Sequence, residues 1–94
     1  MTPLLLSRYF GISEDAGRVL AHLLGLGGAH AGRLELAAAL GLKPRATAKA
    51  IREIRQAMEP RSVSYRCTTD TWWLTFAGVS ECEDALHDNQ RLAA

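Results

Sequence analysis

The chain has 94 residues, enough for one modest hydrophobic core and too few for an added ligand-sensing domain. It reads as a single domain over residues 1–94. The formal net charge of +1 hides a segregation: Lys43–Arg66 carries seven Lys and Arg against two Glu, a net +5, whereas Val79–Ala94 carries four acids against Arg91. Such a basic block is the footprint a polyanion meets, and the acidic tail is expected to face away from it.

The first twelve residues are an apolar segment. Thr2-Pro3 reads as an N-cap followed by Pro at the first helical position, predicting a short helix to about Tyr9, with an edge strand as the competing reading. Its leucines are expected to cover the core or a partner subunit. The apolar run is too short for a membrane span, and no basic segment precedes it as in a signal peptide. A soluble cytoplasmic protein is expected.

The core of the domain is assigned to residues 13–78. Ser13 caps the next helix, and Glu14 and Asp15 occupy its first turn, where the helix dipole favours acids. Ala16, Val19, Leu20, Leu23 and Leu24 then recur as a helical core stripe, which stops at Gly25-Leu26-Gly27-Gly28. That run has no GK[ST] and no preceding strand, so it is a turn and not a phosphate loop.

Leu34–Met58 reads as two helices with a tight bend. Leu36, Ala37 and Leu40 form the inner face of the first, Gly41 ends it, Leu42 tucks back, and Pro44 opens the second. On the second helix Thr47, Ile51, Ile54 and Met58 form a buried stripe, with Ala50 and Ala57 beside it. Arg45, Lys49, Arg52 and Gln56 take the opposite side. A helix so divided suits packing on a small core while its polar face enters the major groove of DNA. An ordinary helical hairpin with a solvated basic face is the alternative. The bend resembles a helix-turn-helix, with Thr47 standing where that motif usually has Val or Ile.

After Pro60-Arg61-Ser62 the period changes from 3.6 to 2. Val63, Tyr65 and Cys67 alternate with polar residues, as do Trp72, Leu74 and Phe76 with Thr71, Trp73 and Thr75. With Thr69-Asp70 as the turn, the predicted pairs are Cys67–Trp72, Tyr65–Leu74 and Val63–Phe76 on an apolar, core-facing side. Arg66–Trp73 and Ser64–Thr75 fall on the other side, the former as a cation–π pair. The last helix is predicted over residues 80–92. Ser80 and Glu83 form its capping box, Cys82, Ala85, Leu86, Asn89 and Leu92 its inner stripe, and Glu81, Glu83, Asp84 and Asp88 its surface.

No enzyme constellation stands out. Cys67 and Cys82 form no CxxC pair, and His87 falls five residues past Cys82, on another side of a helix. Two packed free thiols are expected, with no metal and no cofactor. His22 reads as a boundary residue, His30 as part of a turn.

Helix, two-helix unit, two-stranded β-hairpin, helix is the order of a winged helix-turn-helix domain, mainly α. The resemblance covers roughly Glu14–Leu86 and is most specific at ELAAALGL and at the strand WWLTFAGV. The latter is similar to the L-T-x-x-G ending of the wing strand in MarR-type and ArsR-type bacterial regulators, with Leu74, Thr75 and Gly78 in those positions. The resemblance implies double-stranded DNA binding by a homodimer, a recognition helix over Arg45–Met58 and a wing at Thr68–Thr71. The wing tip lacks the usual basic residue. The long dimerisation helices of one family and the metal-binding cysteines of the other are also missing, so no small-molecule effector is implied.

The expected function is that of a small sequence-specific transcriptional regulator of bacterial or phage type. Lys49, Arg52 and Gln56 are the candidates for base edges, and Lys43, Arg45, Arg55, Arg61 and Arg66 those for phosphates. Two alternatives stay open. One is a winged-helix protein–protein module using Trp73 and the acidic last helix; the other is an architectural or excision accessory factor of a mobile element.

Overall fold

Ser13 shows how closely local sequence dictates the start of an element. Its extended backbone and side-chain oxygen, which accepts from the Ala16 N–H at 3.2 Å, open the second helix where the sequence predicts it. The computed structural model describes the backbone of residues 2–93 and side chains through residue 88. The elements in order are α1 (Thr2–Phe10), α2 (Glu14–Gly25), β1 (Ala31–Gly32), α3 (Arg33–Leu40), α4 (Pro44–Ala57), β2 (Val63–Arg66), β3 (Thr71–Leu74) and α5 (Phe76–Ala93). The fold is mainly helical, with a small antiparallel sheet in the order β1-β3-β2. No helix among the described residues is long and apolar enough to cross a membrane.

One core is built from Leu6 of α1, Ala16, Val19, Leu20 and Leu23 of α2, Leu36 of α3, Ala50, Ile51 and Ile54 of α4, Leu74 of β3, and Cys82 and Ala85 of α5. Of the N-terminal segment, Leu6 is wholly buried in the core, while Leu4 and Tyr9 remain exposed. Leu24 is only half-buried, and Ala57, expected beside the α4 stripe, is exposed because the helix ends there. Met58 is buried just past that end. Burial pushes the Cys82 thiol up to about 12, with Glu81 and Glu83 adding to the shift. Cys67, by contrast, is exposed in the hairpin loop and is not a packed thiol.

The α3–α4 unit follows the sequence closely. Gly41 takes φ 67°, and the Leu42 N–H reaches back to the Ala37 carbonyl at 2.9 Å. Thr47 is fully buried and its hydroxyl donates to the Lys43 carbonyl at 3.1 Å. A hydroxyl satisfied within its own helix leaves the methyl group to pack, so Thr serves in a position that suits Val.

The sheet departs from expectation in three ways. First, β1 makes it three-stranded, pairing Ala31 with Trp72 and Gly32 with Thr71. Second, the β2–β3 register is Val63–Leu74, Ser64–Trp73, Tyr65–Trp72 and Arg66–Thr71, two residues away from the predicted one. The turn is therefore a four-residue loop, Cys67–Asp70, with Asp70 at φ 50°. The same side chains share a face, but Val63 and Leu74 are buried while Tyr65 is exposed and Phe76 is 93% exposed. The Arg66–Trp73 and Ser64–Thr75 pairs are not formed.

Third, β3 ends at Leu74 instead of running on through Phe76, and the reason for this and for the shift lies in Thr75. Its hydroxyl donates to the Arg61 carbonyl at 2.6 Å and accepts from the Gly78 N–H at 3.1 Å, and its carbonyl accepts from the Val79 N–H at 2.9 Å. Thr75 thus caps a helix that starts at Phe76, four residues before the predicted Ser80 capping box. Phe76 cannot belong to the ladder and to this helix at once. Gly78 completes the junction: a Cβ there would collide with the Ser62 carbonyl. Glu81 is half-buried rather than a surface acid, accepting from the Ser62 hydroxyl beside the Glu59 N–H. Cys82 and Ala85 are buried as predicted, Leu86 half so; Asn89 and Leu92 lie outside the described side chains.

The register makes a direct prediction. Leu74→Ala should cost about 2–5 kcal/mol by emptying a buried site, whereas Phe76→Ala should stay within about 0.5 kcal/mol. Urea titrations of the two variants decide, and the reverse ranking would restore Phe76 to the ladder opposite Val63.

Candidate nucleic-acid interface

The surface of interest is the outer side of α4. Thr47, Ala50, Ile51 and Ile54 turn inward, so the 3.6-residue period sends Arg45, Lys49, Arg52 and Gln56 to the exposed side, where all four lie. Glu53 leaves that surface. Its carboxylate accepts from the Ser13 N–H at 3.0 Å and from the Ser13 hydroxyl at 2.9 Å, tying the middle of α4 to the start of α2. Arg18 of α2 likewise donates to the Leu40 carbonyl at 2.5 Å and holds the end of α3.

Two grooves flank the helix and meet at Ala48 and Arg52. The first lies towards the N-terminal end, with Lys43, Arg45 and Lys49 on its walls. The second, of about 470 Å³, runs between α4 and the hairpin. From α4 it takes Ile51, Arg55 and Gln56 as well as the shared pair, from the sheet side Asp70 and Trp72, and from the first residue of α3 Arg33.

Of the eight predicted contact residues, six are thereby collected along α4: Lys43, Arg45, Lys49, Arg52, Arg55 and Gln56. Arg61 and Arg66 are exposed but line neither groove. Arg61 sits in the α4–β2 turn, and Arg66, next to Tyr65 on a strand, points to the opposite face of the sheet. Sequence reasoning missed Arg33. It stands ten residues ahead of the basic block and is brought to the groove only by β1, which pairs with β3 and sets the start of α3 beside the hairpin.

Aromatic contacts organise both sheet faces. The Arg55 guanidinium lies 5.2 Å from the Trp72 ring centroid, and Tyr65 packs against Trp72 with centroids 4.2 Å apart. Arg55 thus spans from α4 to the hairpin, where the sequence had suggested an Arg66–Trp73 pair. On the other face His30 stacks on Trp73 at 4.0 Å with ring planes 8° apart. The Tyr65 hydroxyl donates to Asp70 at 2.7 Å, and this bond raises the phenol above its ordinary value of 10.

Asp15, Glu53 and Glu81 are engaged away from this surface. Among the described residues the one ion pair joins Arg18 to Asp15 at 3.9 Å, and no carboxylate lies within that reach of the α4 cations or Arg33. The surface therefore presents a row of uncompensated cations, with an amide and an indole among them. No protein-family model, no curated protein and no solved structure matches the chain.

The Arg55–Trp72 contact can be tested without any ligand. Arg55→Ala should lower stability by about 0.5–1 kcal/mol and shift the tryptophan emission, since one ring loses its cation. Arg45→Ala, which touches neither tryptophan, should leave the emission unchanged. Identical spectra for all three proteins would show that Arg55 does not hold the hairpin.

Proposed function

We propose that the protein is a winged helix-turn-helix DNA-binding protein, with α4 as its recognition helix and the β2–β3 hairpin as its wing. The observation that carries this reading is the outer face of α4: five Lys and Arg residues with Gln56, exposed and unmatched by any carboxylate among the described residues. Lys49, Arg52 and Gln56 follow one another down the exposed side from mid-helix to the C-terminal turn, where base edges would be met; Arg and Lys suit guanine, and Gln suits adenine. Lys43, Arg45, Arg55 and Arg33 flank them and suit phosphates, which fix register and supply the salt-dependent share of affinity. Asp70 at the wing and the absence of a basic residue from Cys67–Asp70 assign little of the binding to the tip itself.

A dimer belongs to the same reading. Leu4 and Tyr9 of α1 remain 38% and 48% exposed, leaving apolar surface that a second copy would cover. A transcriptional regulator reading two half-sites follows from such pairing. The protein-module alternative draws on a different surface, the His30–Trp73 stack and the exposed Phe76.

Selection of bound duplexes from a random pool, with light scattering on the same sample, tests the proposal. A dimer mass and an enriched motif are expected. Arg52→Ala should then cost about 1–3 kcal/mol on the selected site and relax preference at one base pair. Arg61→Ala, remote from α4's grooves, should shift all sequences alike and change the salt slope by at most about one unit. No salt-dependent affinity for any duplex would end the DNA reading. Uniform losses from both variants would leave an architectural protein that tolerates any sequence.

A further inference from the structure

We propose that the groove between α4 and the hairpin is a binding site for a free nucleotide, a phosphate ester carrying a planar base. Occupation of this site would exclude DNA from Arg52. The exclusion rests on the DNA-binding reading; the nucleotide site does not.

Charge supplies the first part of the argument. Arg33 from α3 and Arg52 and Arg55 from α4 line one groove, and no carboxylate within ion-pairing distance neutralises any of them. Asp70 is the only acid on its walls among the described residues, and its carboxylate is held by the Tyr65 hydroxyl. Arg33 and Arg52, from two elements, suit one phosphate bound in planar, two-pronged fashion, and Arg55 can join them on leaving the Trp72 ring.

The second part is the ring. Trp72 is half-buried on the groove wall, and Arg55 lies over its face at 5.2 Å. Tyr65 already packs against Trp72 with centroids 4.2 Å apart, so a base would take the place of Arg55 on the ring, with Arg55 turning to the phosphate or to the outer side of the base. Gln56 supplies an amide that both donates and accepts, and Asp70 an acceptor for an exocyclic amine. A volume of about 470 Å³ lies within the range of small-molecule sites and matches a mononucleotide better than a lone anion.

The probes are adenosine monophosphate, ribose 5-phosphate and adenosine, titrated by calorimetry at matched ionic strength, with tryptophan emission recorded in parallel. The monophosphate should bind at least about tenfold more tightly than either half-molecule, since charge-assisted hydrogen bonds and stacking each contribute about that factor. Arg33→Ala and Trp72→Leu should each weaken it about tenfold or more. Lys43→Ala, outside this groove, should leave it within about twofold while still lowering DNA affinity.

Saturating monophosphate should also release a bound duplex. Equal affinity for adenosine monophosphate and ribose 5-phosphate would overturn the proposal, since it would reduce the groove to general attraction for anions. So would indifference to both Arg33→Ala and Trp72→Leu. Duplex binding without nucleotide binding removes this site and leaves the proposed function standing; nucleotide binding without duplex binding does the reverse.

Discussion

Everything on the candidate surface depends on how α4 is seated. Thr47, Ala50, Ile51 and Ile54 are buried against the core, and once they are fixed, the helical period leaves the long polar residues no choice of side. The seat is reinforced by polar contacts at both levels of the neighbouring helices. Glu53 closes onto the free donors at the start of α2, and Arg18 closes onto the free acceptors at the end of α3. Both exploit the unsatisfied backbone groups of helix ends. Rotation of α4 by even one residue would break the Glu53 contact and expose part of the stripe, so the side of the helix from which the cations project is fixed by the core.

A second constraint sits at the junction of sheet and last helix. Thr75, Ser62, Gly78 and Glu81 form a small polar knot in which each group answers another: Ser62 accepts at its carbonyl from the Thr75 N–H at 2.9 Å and donates its hydroxyl to Glu81. The knot fixes where β3 must end. Because β3 ends at Leu74, Val63 pairs with it, Tyr65 meets Trp72, and the loop lengthens to Cys67–Asp70. A cap on a helix thereby decides the position of aromatic groups at the far end of a hairpin. The Leu74-Thr75-x-x-Gly78 pattern has a local explanation here: an apolar anchor, a cap, and the one residue without a side chain to strike Ser62.

These two constraints also explain what could be read from the sequence. Local signals were sufficient for α2 through α4, where the Ser13 cap, Gly41 and the apolar stripes agree, and for the face on which each candidate base-reading residue lies, but they left α1 open between a helix and an edge strand. They failed where two local signals competed. Alternation ran on through Phe76, and Ser80 with Glu83 made a plausible cap, yet Thr75 already had partners in the Arg61 and Ser62 carbonyls that no local pattern reveals. β1 was invisible because two residues carry no period, and with it went Arg33. Arg61 and Arg66 were grouped with the others by proximity in the chain, although a turn and a strand face separate them from α4.

The near-neutral total charge conceals how the acids are used. Asp15 pairs with Arg18, Glu53 serves Ser13, Glu81 serves Ser62, and Asp70 serves Tyr65, so three of these four carboxylates answer neutral donors. Exposed ion pairs add little stability, and pairing the α4 cations would have gained the fold almost nothing. Leaving them unpaired costs the fold equally little, while their alignment on one rigid helix builds a positive potential that isolated charges do not. Stability therefore gives little account of the row, which suits the proposed attraction of a polyanion. The same reasoning extends to the groove beside it, where Arg55 bridges to Trp72 and, among the described residues, neither Arg33 nor Arg52 has an ion-pair or ring partner. A guanidinium that packs on a ring is accounted for by the fold, whereas the two beside it are the ones the proposed nucleotide site puts to use.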